Sequence, residues 1–230
     1  MKDIADKSID MILCDLPYGT TACKWDVVIP FEPLWEQYKR IIKDNGAIVL
    51  TASQPFTSAL VMSNVKMFKY EWIWEKSHPS GLFTAKILPM KYHENVLVFS
   101  NGKLNYNPQM WQGEKNHKNK GSIVKEGLYG KGTKFTQAKL DGIKYPKSIQ
   151  KFINPRTGSF HPTQKPVALF EYLIKTYTNE GDLVLDNCAG SGTTGVACMN
   201  TKRNFILIEQ LKEYVDIANK RLQNTTISLF

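Results

Sequence analysis

The chain has 230 residues, of which 42% are hydrophobic and 22% charged, and its 30 Lys and Arg outnumber its 21 Asp and Glu, giving a net charge of +9. This balance predicts a folded core and excludes wholesale disorder, and the length suits one α/β domain or one domain with a sizeable insert. No run approaches the ~18 apolar residues of a membrane span. The acids Asp3 and Asp6 lie where a signal peptide needs an apolar stretch. The excess of positive charge by itself points only weakly to a polyanionic partner.

The cysteines do not predict a disulfide scaffold or a metal site. They form no C-x-x-C pair, and no histidine lies at the spacing of a zinc ligand. Their low density also excludes a small disulfide-stabilised fold. We therefore expect buried or incidental thiols in a reducing compartment, and no metal. The cysteines are Cys14, Cys23, Cys188 and Cys198.

Short apolar runs alternate with amphipathic stretches on both sides of the middle of the chain. In the first half, this pattern predicts strands at 9–13, 47–50, 70–74 and 95–99, and helices at 33–43 and 55–62. In the second half, it predicts helices at 166–177, 193–199 and 213–222, and strands at 183–185 and 205–208. The alternation indicates an α/β fold, with a parallel sheet and helices on both faces.

The positive charge is concentrated in the middle of the chain. Residues 101–160 hold twelve basic and three acidic residues, so this segment carries the whole excess of +9, and the rest of the chain is neutral. The segment is also rich in glycine and contains scattered aromatic residues. It is typical of an insert that contacts phosphates and stacks on bases. A solvated loop is the alternative interpretation. Asn and Gln side chains and Arg156 are the candidates for contacts with base edges.

A glycine-rich motif runs from Asp186 to Gly195, between a predicted strand and a predicted helix. Gly190, Gly192 and Gly195 match G-x-G-x-x-G, and Glu209 ends the next strand. Such a loop lets a ligand approach the backbone, and the acid accepts hydrogen bonds from ribose hydroxyls, so we expect a nucleoside-type cofactor. Asp186 favours a cationic ligand over a pyrophosphate. A tight turn that needs glycine only for packing is the alternative.

A second motif, Asp15-Leu16-Pro17-Tyr18, also follows a predicted strand. The Asp15 carboxylate and the Leu16 carbonyl can both accept hydrogen bonds from one amino group. Pro17 stiffens the turn, and Tyr18 offers an aromatic face. This set suits a planar amine substrate, although an ordinary turn with a half-buried tyrosine has the same spacing.

Together the motifs resemble those of the amino-methylating DNA methyltransferases in their circularly permuted β-class order. Asp15 to Tyr18 is similar to the family's D-P-P-Y, although Leu16 replaces its first proline. Asp186 to Gly195 is similar to its S-adenosylmethionine loop. The segment His161-Pro162-Thr163-Gln164-Lys165-Pro166 resembles the stretch before the cofactor helix, and His93-Glu94-Asn95 also fits. His161 is expected to be structural.

The resemblance implies a Rossmann-like S-adenosylmethionine-dependent sheet with a basic target-recognition insert. It implies a catalytic half at 1–100, the insert at 101–160 and a cofactor-binding half at 161–230. Asp186 would hold the methionine ammonium, Glu209 the ribose, and Lys165 and Thr193 the methionine carboxylate. The implied catalytic residues are Asp15, Leu16, Pro17 and Tyr18, and the implied cofactor-binding residues are Lys165, Asp186, Ala189, Gly190, Ser191, Gly192, Thr193 and Glu209.

The implied reaction is methyl transfer from S-adenosylmethionine to the N6 amine of a flipped-out adenine in double-stranded DNA. Asp15 favours adenine, because relatives that act on cytosine more often begin the motif with serine. The alternatives are N4-cytosine methylation, a non-catalytic DNA-binding module and a nicotinamide-dependent oxidoreductase. We expect a cytoplasmic protein of a bacterial or phage-infected cell with no membrane contact. A homodimer and a cognate restriction enzyme are left open as partners.

Overall fold

The computed structural model describes residues 1–21, 23, 25–114, 142–154 and 164–225. It divides into two units, one of residues 1–107 with 148–230 and one of residues 108–147. Within the described ranges, no helix combines the length and apolar character needed to cross a bilayer. The predicted roles of Arg156 and His161, and of most of the basic residues in the middle of the chain, lie outside the described residues.

The described elements are nine strands and five helices. The strands are β1 (Ile9–Cys14), β2 (Ile42–Ala52), β3 (Phe68–Ser80), β4 (Lys91–Phe99), β5 (Trp111–Gln112), β6 (Ile143–Lys144), β7 (Ile149–Phe152), β8 (Leu183–Asp186) and β9 (Asn204–Leu207). The helices are α1 (Phe31–Ile41), α2 (Phe56–Ser63), α3 (Val167–Tyr177), α4 (Thr193–Asn200) and α5 (Lys212–Gln223), with a short 3₁₀ turn at Leu82–Thr84.

Seven of the described strands form one sheet in the larger unit, in the order β7-β3-β4-β2-β1-β8-β9. The predicted parallel sheet is mixed, because β4 is antiparallel to both β2 and β3. Only residues 81–90 join β3 to β4, which is too short for a helical crossover, so the two strands form a hairpin. The remaining pairs, β1–β2, β1–β8, β8–β9 and β3–β7, are parallel.

Side chains of β1 alternate between two cores, as the pleat of a strand requires. Ile12 and Cys14 belong to the core beneath α1 and α2, whereas Met11 and Leu13 belong to the core beneath α3 and α4. The prediction of helices on both faces is therefore confirmed. Because α1 follows β1 on one face and α4 follows β8 on the other, a crevice opens between the carboxyl ends of β1 and β8.

Two differences from the predicted elements have physical causes. The helix predicted to end at residue 43 ends at Ile41, and Ile42 is already extended, because its backbone pairs with Ile9 in β1. Within the segment predicted as an insert, β7 joins the large sheet beside β3. Its four residues alternate between exposed and half-buried positions, so no apolar run marks it as a strand.

The smaller unit contains an antiparallel pair, β5 and β6, among its described residues. Trp111 donates a hydrogen bond from its indole nitrogen to the carbonyl of Tyr145 at 2.9 Å. The ammonium of Lys147 lies 4.8 Å from the Trp111 ring centre, a cation–π distance. The proposed division of the chain at residues 100 and 160 and the DNA-reading role of its middle stay predictions.

Candidate active site

A cavity of about 780 Å³ lies at the carboxyl ends of β1, β8 and β9. These three strands are parallel neighbours, so the acids that follow or end them, Asp15, Asp186 and Glu209, are brought to the same edge of the sheet. The cavity is lined by eleven of the twelve predicted site residues, namely Asp15, Leu16, Pro17, Tyr18, Lys165, Asp186, Ala189, Gly190, Ser191, Thr193 and Glu209.

Gly192, the twelfth predicted residue, lies outside this lining. It directly precedes α4 with a φ of +78°, and a Cβ at this position would come within 2.9 Å of the Cβ of Ala218 in α5. The structure therefore gives Gly192 a packing role, both for its backbone conformation and for the close approach of α5. Its direct contact with a cofactor stays a prediction. Gly190, also at positive φ, does face the cavity.

The carboxylate of Asp186 is almost fully buried, with 2% of the residue exposed. One oxygen accepts a hydrogen bond from the backbone N–H of Cys188 at 3.0 Å, and the other accepts one from the Thr194 hydroxyl. Burial raises the pKa of Asp186 to about 6, and the hydrogen bonds from Thr194 and Cys188 offset only part of this effect. A cationic ligand beside this group would favour its charged form.

The pH dependence of folding tests the raised pKa of Asp186. The pKa of this carboxyl is about 6 in the fold, against its ordinary value of 3.8. Its contribution to stability is therefore complete below pH 3.8 and is lost as the pH rises through 6. Urea unfolding is measured from pH 4 to pH 7.5. Over this rise in pH, we expect the free energy of unfolding of the wild type to fall by about 2–3 kcal/mol relative to that of Asp186→Asn. Parallel pH profiles for the two proteins would contradict this pKa.

Glu209 lies just beyond β9 and connects two loops at the cavity. One carboxylate oxygen accepts a hydrogen bond from the backbone N–H of Gly190 at 2.8 Å, and the other accepts one from Leu211 at 2.9 Å. An ionised carboxylate offers about four acceptor positions, so two remain for a ligand among the described contacts. Two fixed acceptor positions side by side match a pair of adjacent hydroxyl groups.

The Asp15 carboxylate is held by three donors from separate parts of the chain. Its Oδ1 accepts hydrogen bonds from the Tyr18 hydroxyl at 2.9 Å and from the Thr51 hydroxyl of β2. Its Oδ2 accepts one from the ammonium of Lys165 at 2.7 Å. Among the contacts of the described residues, one of the four acceptor positions remains on Oδ2 for a donor in the cavity.

Lys165 belongs to a buried row of alternating charges that the sequence did not predict. Its ammonium lies 2.7 Å from Asp15 and 3.4 Å from Glu94, and Glu94 in turn lies 3.3 Å from the ammonium of Lys76. Burial alone would lower the pKa of Lys165, but the charges of Asp15 and Glu94 outweigh it, so this pKa is raised and the side chain stays protonated.

Glu94 and Lys76 come from neighbouring strands, β4 and β3. Lys76 is only 5% exposed. One oxygen of Glu94 is buried with no hydrogen-bond donor among the described residues, although the ammonium of Lys165 lies 3.4 Å away. The segment His93-Glu94-Asn95 could have indicated Glu94, because an acid beside the apolar run of a strand is seldom buried unless it is paired. The sequence contains no comparable signal for Lys76.

Tyr18 follows the Asp15 turn and packs against α2. Its ring stacks on Phe56, with 5.3 Å between ring centres and 25° between planes, and the Lys165 ammonium lies 5.4 Å from its centre. Burial, together with the charge of Asp15, raises the pKa of Tyr18 well above its ordinary value, so the phenol stays protonated and donates to Asp15. The side chain of Leu16 is buried in the core, which leaves its backbone carbonyl as the group available to a ligand.

The loop after Tyr18 is fixed by Asp26, another residue that sequence reasoning missed. Its carboxylate accepts hydrogen bonds from the backbone N–H groups of Gly19, Thr20 and Thr21 at 2.7–2.9 Å. Burial would raise the pKa of Asp26, but these bonds and that from the Thr21 hydroxyl outweigh it and lower the pKa. Asp26 lines the cavity and orders its wall.

The fold and the cavity define a Rossmann-like enzyme with its site at the strand ends. The sequence profile of the family described as DNA methylase, the N6/N4 methyltransferases, matches residues 9–220. The chain therefore belongs to the DNA methylase family. The predicted relationship to amino-methylating DNA methyltransferases, and the predicted fold class, are confirmed.

Individual relatives cover nearly the whole chain. Type II methyltransferase M.HpaI of Haemophilus parainfluenzae is 28% identical over 97% of this chain and 71% of its own length. DNA adenine methyltransferase YhdJ of Escherichia coli (strain K12) is 29% identical over 96% of this chain and 79% of its own length. The crystal structure of the M1.HpyAVI-SAM complex superposes with a TM-score of 0.62 at 28% identity, covering 93% of this chain and 89% of that one.

Proposed function

We propose that this protein transfers a methyl group from S-adenosylmethionine to the N6 amine of an adenine in double-stranded DNA. The observation that carries the proposal is the Asp15 carboxylate, which lines the cavity at a strand end and keeps one acceptor position open among the described contacts. The same cavity is lined by Asp186 and Glu209. Within the family, an aspartate at the start of this motif favours adenine, and the relative YhdJ is named a DNA adenine methyltransferase.

The residues around the glycine loop fit S-adenosylmethionine. Glu209 presents fixed acceptors suited to ribose hydroxyls. Gly190 has no side chain, so its backbone can contact a ligand in the cavity directly. Asp186, buried and close to the loop, suits the ammonium of the methionine part. When bound, S-adenosylmethionine supplies an electrophilic methyl group.

Lys165 and Thr193 were expected to hold the methionine carboxylate. Lys165 instead donates to Asp15 and lies beside Glu94, which supports a role in positioning the Asp15 carboxylate. The Thr193 hydroxyl accepts a hydrogen bond from Arg221 at 3.1 Å. The contacts of both residues with the cofactor stay predictions.

The proposed chemistry uses two acceptors on one amino group. The adenine amine is a weak nucleophile because its lone pair is delocalised into the ring. If Asp15 and the Leu16 carbonyl accept its two N–H bonds, the nitrogen rehybridises and its lone pair points out of the ring plane. As the methyl group bonds to the nitrogen and S-adenosylhomocysteine is released, positive charge would develop on the nitrogen, where the Asp15 carboxylate stabilises it. The methylated amine would then lose one of its two protons. Tyr18, backed by Phe56, offers a stacking surface that offsets part of the cost of flipping the base.

Duplex DNA is the proposed macromolecular partner, and the basic segment 101–160 is its proposed reading surface. A homodimer and a cognate restriction enzyme remain proposals drawn from the family resemblance. A cytoplasmic location in a bacterial or phage-infected cell is also a proposal, because that is where the protein would meet its DNA substrate.

Replacing lysines of the middle segment by glutamine tests whether this segment binds DNA separately from the cofactor site. The four substituted residues are Lys118, Lys120, Lys125 and Lys134. We expect weaker DNA binding and a salt dependence whose slope falls by about 0.9 for each phosphate that the variant no longer neutralises. Fluorescence anisotropy with labelled duplex across a salt series measures both quantities. Calorimetry with S-adenosylmethionine is the control, and an equal loss of cofactor affinity would refute the separate roles.

Label transfer tests the proposed activity itself. The protein is incubated with methyl-tritiated S-adenosylmethionine and genomic DNA from a methylation-deficient strain, and acid-precipitable label is counted. We expect label in the DNA, and none when protein or DNA is omitted. An absence of transfer, together with no calorimetric binding of S-adenosylmethionine, would refute the proposal.

A further inference from the structure

The ten residues between β3 and β4, residues 81–90, form an exposed apolar segment. All ten are exposed, including Leu82 at 73% and Phe83, which is fully exposed. Of the seventeen large hydrophobic side chains that are exposed among the described residues, six fall between positions 82 and 92. Such a concentration on a protein surface indicates a contact with another molecule.

The apolar segment begins and ends at the rim of the candidate active site. Ser80 and Lys91 pair with each other across the hairpin, and both line the cavity. Lys76 donates to the Ser80 hydroxyl at 3.0 Å and also pairs with Glu94, so the base of the hairpin is tied to the row of charges that ends at Asp15. The segment therefore stands next to the place where the target base would enter.

The charge around the apolar segment favours a polyanion over another protein surface. Residues 76–93 include Lys76, Lys86 and Lys91 and no acidic residue. Lys76 is buried against Glu94, but Lys86 and Lys91 are exposed. Exposed lysines beside apolar side chains are the arrangement with which architectural proteins hold the DNA backbone while inserting between base steps.

We propose that Leu82 and Phe83 form an apolar wedge that enters the DNA base stack beside the target and fills the space left by the flipped adenine. The inference rests on the proposed function and names a further DNA-binding element for the same site. Extruding a base costs stacking energy, and an apolar side chain in the gap restores part of it. The wedge lowers the cost of flipping and does not take part in methyl transfer.

The double variant Leu82→Ala/Phe83→Ala tests the wedge. We expect methyl transfer to duplex genomic DNA to fall by about tenfold or more in kcat/KM, with unchanged calorimetric affinity for S-adenosylmethionine. Permanganate oxidises unstacked thymines, so the wild type should make the thymine opposite each target reactive, and the variant should not. Met62→Ala, which removes a side chain that is 73% exposed on α2, is the matched control and should behave as wild type.

The outcomes separate the wedge from the proposed function. If the wild type transfers no methyl group to DNA, both proposals fail. If the wild type is active and the double variant matches it in transfer and in permanganate reactivity, only the wedge is refuted. Sedimentation velocity adds a third outcome, since a variant that loses activity by dissociating from dimer to monomer would make the segment an interface between copies and refute the wedge.

Discussion

Asp15→Asn should lower methyl transfer by about 10²–10³-fold, the usual effect of removing one group that stabilises transition-state charge. Asparagine keeps the size of the side chain, and its oxygen can still accept hydrogen bonds from Thr51 and Tyr18, which hold the turn in place. Its amide nitrogen cannot accept the hydrogen bond from Lys165, so urea unfolding is measured alongside activity. The substitution removes the negative charge that lies beside the amine nitrogen when that nitrogen becomes positively charged. Single-turnover transfer of tritiated methyl groups to duplex DNA measures the loss directly.

Asp15→Asn should leave the cofactor site intact, because Asp186 and Glu209 are held by contacts that do not involve Asp15. Calorimetry should therefore give a dissociation constant for S-adenosylmethionine within about threefold of wild type. Asp44→Asn is the matched control, since the Asp44 side chain is 86% exposed. Full activity in Asp15→Asn would show that the negative charge of Asp15 does not stabilise the transition state.

Lys165→Met should destabilise the fold by about 3–5 kcal/mol, the usual cost of removing one partner of a buried ion pair. Methionine matches the length of lysine but leaves the carboxylates of Asp15 and Glu94 without the cation between them. The Asp15 carboxylate also loses the donor on its Oδ2, so methyl transfer should fall together with stability. Urea unfolding measures the first effect, and label transfer well below the unfolding midpoint measures the second.

Lys212→Met supplies the comparison for this loss of charge. Lys212 pairs with Asp216 at 2.7 Å on the surface of α5, with the lysine side chain 86% exposed, and such pairs contribute less than about 1 kcal/mol. If Lys165→Met destabilised the protein no more than Lys212→Met does, the buried row of charges would have no special role.

The acids at the strand ends could be predicted from the sequence, because each follows a short apolar run that predicts a strand. Apolar runs fix the strands before Asp15 and Asp186, and parallel neighbours bring their ends together. Family resemblance then supplied the chemistry that the spacing alone left open.

The partners of Asp15 could not be predicted, because they depend on tertiary contacts. Lys165 reaches Asp15 from 150 residues away along the chain, and Glu94 reaches Lys165 only because β4 is antiparallel between β2 and β3. The hydrophobic periodicity of β4 and of its neighbours does not show whether β4 runs parallel or antiparallel to them. The packing role of Gly192 is similar, since it depends on where α5 passes.

The identity of the modified nucleoside tests the central claim most directly. Genomic DNA from a methylation-deficient strain is labelled with the wild-type protein and tritiated S-adenosylmethionine, digested to nucleosides and separated by chromatography against standards. If adenine N6 is the target, the label elutes as N6-methyldeoxyadenosine. The same peak is lost when Asp15→Asn replaces the wild-type protein. Label that elutes as N4-methyldeoxycytidine would contradict adenine as the target.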